Sequence, residues 1–125
     1  MARTTIPVAS ITVPLGPYPS LPVAALALDD VYQPADSTNF NQFPLGQGKY
    51  QIRWRNVHAT TAFTVTLTSA PDERKRSGDI TAYSVAAGKS GRFLIDNTAG
   101  WLQTDGMFYL TGSAASIEFC IDRLA

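Results

Sequence analysis

His58 is the one histidine of this chain and Cys120 its one cysteine. A catalytic triad needs a base beside a nucleophile, with a carboxylate to orient the base. His58 lies in a loop-like stretch, and no Ser or Asp is tied to it by a recognisable spacing, so it reads as an exposed loop histidine. One His and one Cys far apart in sequence match no zinc-ligand pattern. Asp29 and Asp30 are adjacent, so on a strand they face opposite ways. They read as a polar strand end rather than as a calcium site or an acid–base pair. Gly46-Gln47-Gly48 lacks the further Gly, Lys or helix that a phosphate loop requires and reads as a turn. No catalytic, cofactor or metal residue is expected, and an enzymatic function is not.

The basic residues give no stronger signal. Arg74, Lys75 and Arg76 are flanked by Asp72, Glu73 and Asp79, which points to a solvated, ion-paired loop or a polar contact at a subunit boundary. Arg53 and Arg55 share one strand face near Lys49, without the interleaved aromatics that a single-strand stacking platform needs. Ten basic and ten acidic residues cancel. Such a chain has no broad field to attract nucleic acid or an anionic membrane. Trp101 follows Gly100 in a loop. A tryptophan there either plugs the open end of its own domain or anchors a partner protein or a sugar. The lone thiol suits a reducing compartment. The longest apolar run, Val23 to Leu28, is too short for a signal-peptide core or a membrane span. Synthesis in the cytosol, without an export signal of the usual kind, is the expectation.

These residues must sit on strands. Tyr50, Ile52 and Trp54 alternate with polar neighbours, as do Phe63, Val65 and Leu67, and Ile117, Phe119 and Ile121. Period-two patterning gives each run one core face and one wet face. The pattern predicts strands over 7–13, 22–28, 48–57, 62–69, 80–86, 90–96, 106–111 and 115–123. Hairpins are expected at Asn56 to Thr61, Ala87 to Lys89 and Gly112 to Ala114, with a long irregular crossover over 29–47 and room for a single turn around Asn97 to Trp101. The fold class is all-β: a two-sheet antiparallel sandwich of about eight strands, with a jelly roll as one form of it. Ile52, Trp54, Phe63, Val65, Leu67, Ile80, Phe93, Ile95, Tyr109, Ile117, Phe119 and Ile121 are expected to face inward.

Residues 1–22 form an arm ahead of a single domain over 23–125. Among the first 28 residues Arg3 is the one charged side chain, and five of the eight prolines fall there: Pro7, Pro14, Pro17, Pro19 and Pro22. Proline stops helices and cannot donate to a central ladder, so the arm is extended. It is too apolar to remain solvated. Ile6, Val8, Ile11, Val13, Leu15 and Tyr18 are therefore contact residues, on the arm's own domain or on a neighbour, and Trp101 is a further one.

Several stretches carry a resemblance: Trp54-Arg55-Asn56 running into Phe63 to Leu67, Arg76 to Tyr83 running into Val85 to Gly88, Gly100 to Gly106, and Ser116 to Phe119 with Arg123-Leu124. From about Tyr50 onward the chain resembles the small β-sandwich virion proteins of tailed bacteriophages, commonly head decoration or cement proteins. The resemblance implies a non-enzymatic structural protein that binds an assembled capsid, bridges capsomers and stabilises the shell. Its partners are then the major capsid protein and neighbouring copies of itself, as a homo-oligomer; a trimer would fit threefold points. Its place is the capsid surface of the virion, after synthesis in the host cytoplasm. A head–tail connector or tail component on the same fold is the first alternative. A carbohydrate-binding module stacking sugars on Trp101, Tyr109 or Tyr32 is the second.

Overall fold

The computed structural model describes residues 3–10, 30–46, 48–70, 78–96 and 99–124. Ten strands run in chain order: β1 Thr4–Thr5, β2 Val8–Ser10, β3 Gln33–Pro34, β4 Asn41–Pro44, β5 Lys49–Asn56, β6 Phe63–Thr68, β7 Ile80–Val85, β8 Ser90–Ile95, β9 Met107–Gly112 and β10 Ile117–Leu124. No helix occurs among the described residues. One sheet has the order β1-β4-β9-β6-β7; the other has β2-β10-β5-β8, with β3 also on β10.

Without β1 and β2, the sheets read β4-β9-β6-β7 and β3-β10-β5-β8. Every connection from β3 onward, except β6 to β7, passes from one sheet to the other. That interleaving is the jelly-roll wrap. The three expected hairpins are therefore corners between sheets. Turn chemistry specifies that the chain reverses, not which strand it then pairs with. Among the corners, Gly112 is held to glycine by space, since a Cβ there would lie 2.6 Å from the Cβ of Ala35. The one connection after β3 that stays within a sheet, β6 to β7, runs over residues 69–79, of which 71–77 lie outside the described residues.

Six expected strands appear within a residue or two of their predicted bounds. The run expected over 7–13 is present as β2, with 11–13 outside the described residues; the run 22–28 lies wholly outside them. The stretch expected to be an irregular crossover carries β3 and β4. The sheets are mixed rather than purely antiparallel. Thr4 and Thr5 pair in parallel with Asn41 and Gln42, and Val8 to Ser10 with Ile121 to Arg123. Parallel neighbours cannot be joined by a tight turn. The N-terminal ribbon instead lies along strands that come much later in the chain.

The core fills the space between the sheets. Tyr50, Ile52 and Trp54 of β5, Val65 and Leu67 of β6, Phe108 and Leu110 of β9, and Ile117, Phe119 and Ile121 of β10 are buried, with Phe43 and Ile6 among them. An aromatic chain crosses it. Tyr50 meets Phe43 at 5.9 Å between ring centroids, Phe43 stacks on Phe108 at 5.0 Å, Phe108 on Trp101 at 5.5 Å, and Trp101 takes Phe93 edge-on at 5.2 Å. Each such pair adds roughly 0.5–1.5 kcal/mol beyond the area it buries.

Phe63, Ile80 and Phe93 are only partly buried, packed against this core. Tyr109 does not point inward; its neighbours Phe108 and Leu110 do, and its hydroxyl donates to Asp105 at 2.6 Å. A shift of one residue exchanges the faces of a strand.

Candidate functional site

The outer face of the β2-β10-β5-β8 sheet carries a dense polar cluster. Arg53 and Arg55 alternate outward from β5, opposite Cys120 and Glu118 of β10. On its other side Arg53 lies directly opposite Arg92 of β8. Like charges across a ladder repel, and Arg53 instead engages the carboxylates on the β10 side. It donates to Asp30 at 2.9 and 2.6 Å in a bidentate pair and to Asp122 at 2.5 Å. Such fork geometry makes strong, oriented bonds. Bonds from Arg53 hold the Asp30 carboxyl below its ordinary range, and the bond to Asp30 leads in raising the guanidinium above its own.

Cys120 lies beneath this cluster, 1% exposed, with Arg53 donating toward its sulfur at 3.2 Å. Burial, reinforced by the charge of Asp122, pushes its thiol up, which favours the protonated form over the nucleophilic thiolate. Arg55 donates to Glu118 at 2.7 Å and lies over the Tyr32 ring at 3.9 Å. Between β5 and β8 on this face a groove of about 340 Å³ is lined by Tyr32, Arg53, Ser90, Gly91 and Arg92. These residues set no base beside a nucleophile.

Asp30, Cys120 and Asp122 place ligand atoms within 4.8 Å of one another. The Arg53 guanidinium already lies on both carboxylates. A metal ion would have to displace a fixed cation from the same oxygens.

A second constellation holds the N-terminal ribbon. The Arg3 guanidinium lies 4.1 Å above the Tyr109 ring and 5.4 Å from that of Phe40, and donates to the Asn41 carbonyl at 3.0 Å. The Thr4 N–H donates to the Phe40 carbonyl at 2.9 Å and the Ile6 N–H to that of Gln42 at 2.8 Å. The Thr4 hydroxyl donates to Asp36, and the fully buried Asn41 donates to the Thr4 carbonyl while accepting from the Asp36 N–H. The Asn39 N–H, then the Thr4 hydroxyl, hold the Asp36 carboxyl down at about 2.

The opposite flank differs. Among the described residues β7 ends one sheet and β8 the other, each with a ladder partner on one side only. β7 is blunted: its register with β6 shifts between Val65 and Leu67, and Ala82 takes a φ of 52°. Bulges of this kind turn an edge away from further pairing. β8 has no such break and keeps one register with β5 throughout. Leu94 on its outer face is 55% exposed, and Tyr83 of β7 is 54% exposed, edge-on to Trp54. The buried indole N–H of Trp54 has no hydrogen-bond partner and lies close over Gly91.

The sequence-expected contact residues fall in different places. Ile6 is in the core of its own chain and Val8 packs against it. Trp101 is built into the aromatic chain between Phe93 and Phe108. Ile11, Val13, Leu15 and Tyr18 lie outside the described residues, as do Asp29, Gln47 and the basic run 74–76. His58 is a loop residue, but its Nδ1 accepts from the Thr60 and Thr61 N–H groups and so shapes the β5–β6 corner. That corner is anchored by Asn56, whose buried amide donates to the Thr61 and Val85 carbonyls. Asn41 escaped sequence reading because a polar residue pointing inward from a four-residue strand leaves no periodic trace, and Asp36 because it lies at the turn ahead of that strand. The one available signal was the Asp36-Ser37-Thr38-Asn39 turn composition.

No family model matches the chain, and neither a curated protein nor a solved structure does.

Proposed function

We propose that this chain is a non-enzymatic structural subunit of a bacteriophage particle, a head decoration protein that binds an assembled shell and bridges its neighbours. One observation carries the proposal: among the described residues β8 is a bulge-free edge of six residues with a ladder partner on one side only and its own Leu94 exposed, on a sandwich whose other flank is closed by its own ribbon. The free N–H and C=O groups of such an edge take up a further strand, and the neighbouring side chains select it. Repeated over a symmetric shell, contacts of modest strength give firm retention by avidity. The resemblance over the β5 to β10 region supports the same assignment, as does the apolar composition of the segment that contains Ile11, Val13, Leu15 and Tyr18. The partners are then the major shell protein and further copies of this chain, and the location is the capsid surface.

The carbohydrate alternative draws less support. Trp101 is packed against Phe93 and Phe108, Tyr109 has Arg3 over its ring, and Tyr32 has Arg55 over its ring. A sugar stacking on any of the three has at most one face left.

Co-sedimentation with shells prepared without this protein tests the proposal. The wild-type chain should pellet with them, and Leu94→Asp, which changes only an exposed side chain, should be retained at least tenfold more weakly. Failure of the wild-type chain to bind would overturn the decoration assignment. Equal retention of Leu94→Asp would overturn the role of β8. Copy counting by mass spectrometry of purified particles separates the alternatives: hundreds of copies mark a head-surface protein, about a dozen or fewer a connector or tail component.

A further inference from the structure

We infer that residues 3–10 are an exchangeable ribbon, and that the slot formed by β4, β9 and the β10 edge at Ile121 to Arg123 receives this ribbon from a second copy of the chain as well as from its own. This holds whether or not the partner shell is viral.

The slot recognises the ribbon by contacts that do not depend on covalent continuity. Backbone ladders bind Thr4 and Thr5 to β4 and Val8 to Ser10 to β10. Tyr109 and Phe40 receive Arg3, Asp36 receives the Thr4 hydroxyl, Asn41 takes the Thr4 carbonyl, and the core takes Ile6. Main-chain pairing with alternate side chains in pockets is how extended peptides add to sheets. An identical ribbon from another copy makes the same contacts, so exchange sacrifices none of them. Among the described residues, nothing but covalent attachment favours the chain's own ribbon over that of another copy. Residues 11–29 separate β2 from the first described residue ahead of β3, a stretch of 19 residues. At about 3.3 Å per extended residue it can span roughly 60 Å, against a radius of gyration near 14 Å, roughly, for a compact chain of this length. Covalent attachment through a connection of that length is in general equivalent to an effective concentration on the order of millimolar. Crowding many copies together competes with it directly.

Thr5 and Gln42 are register partners, and the Gln42 amide donates to the Thr5 hydroxyl at 3.4 Å. Two full-length variants, Thr5→Cys and Gln42→Cys, should therefore form a disulfide between chains when mixed at high micromolar concentration and gently oxidised, with a yield that rises with concentration. The double variant in one chain should shift from an internal bridge when dilute to linked chains when concentrated. Absence of any bridge between the two single variants, both on native mixing and after joint unfolding and refolding, would overturn the inference. So would an equal yield from Thr5→Cys mixed with Ser84→Cys, an exposed position on β7 where no ribbon sits.

Discussion

The two flanks of this sandwich solve the edge problem differently. On one, β1 and β2 cap the sheets with strands of two and three residues, too short to template another chain. Their attachment is specific, since one buried isoleucine, one cation over two rings and a buried asparagine define it. On the other, β7 and β8 are edges among the described residues, one bulged and one regular. What distinguishes the flanks is where selectivity resides. The capped side encodes a particular peptide, and the open side offers backbone to any strand with compatible neighbours. Both surround the same core, so substitutions can separate them.

The largest difference is expected from Ile6→Ala. Ile6 is 2% exposed within the core, so its truncation should cost about 2–5 kcal/mol in denaturant unfolding. A loss below about 0.5 kcal/mol, the range of ordinary surface substitutions, would show that the ribbon is not integral to the fold. Gly91→Ala comes next. Its Cβ would lie 2.6 Å from Trp54 Nε1, so overpacking should cost roughly 1–3 kcal/mol. Wild-type stability there would mean that the inner side of β8 is looser than its partner strand.

Asp36→Asn sharpens the capped side by pH. The folded carboxyl titrates at about 2, below the roughly 3.9 of an unfolded aspartate. Its stabilising contribution is therefore complete above about pH 4 and disappears as pH falls toward 2. The melting-temperature gap between wild type and Asp36→Asn should be widest near neutrality and close over that interval; a constant gap would assign the effect to something other than ionisation. The smallest effect should come from Leu94→Ala, within about 0.5 kcal/mol of wild type, since the side chain is 55% exposed.

Much of the architecture was legible because period-two alternation survives wherever a strand has one wet face. β5, β6 and β10 are long enough to display it, and their buried residues match it. β4 is not. Four residues ending in Pro44 give no pattern, so Phe43, among the largest buried side chains, went unassigned. In β9 the run Met107-Phe108-Tyr109-Leu110 is apolar on both faces, and the alternation has no sign; the turn at Asp105, which captures the Tyr109 hydroxyl, settles it. The ribbon was legible as extended and apolar, but its destination was not, because parallel pairing with β4 and β10 is a long-range choice that local sequence does not encode. The arginine pair on β5 was visible as a wet face. Its carboxylate partners arrive from β10 and from Asp30, and only the strand register brings them together.

Cys120 makes the protein its own reporter. The sulfur sits under Arg53 and Asp122, and the chain holds no other thiol to confuse a reading. A thiol-directed dye added to the native protein then acts as a stopwatch for the moments when this face lifts. Asp30→Asn, which removes one grip on the guanidinium, should make that stopwatch run faster without altering the dye's intrinsic chemistry.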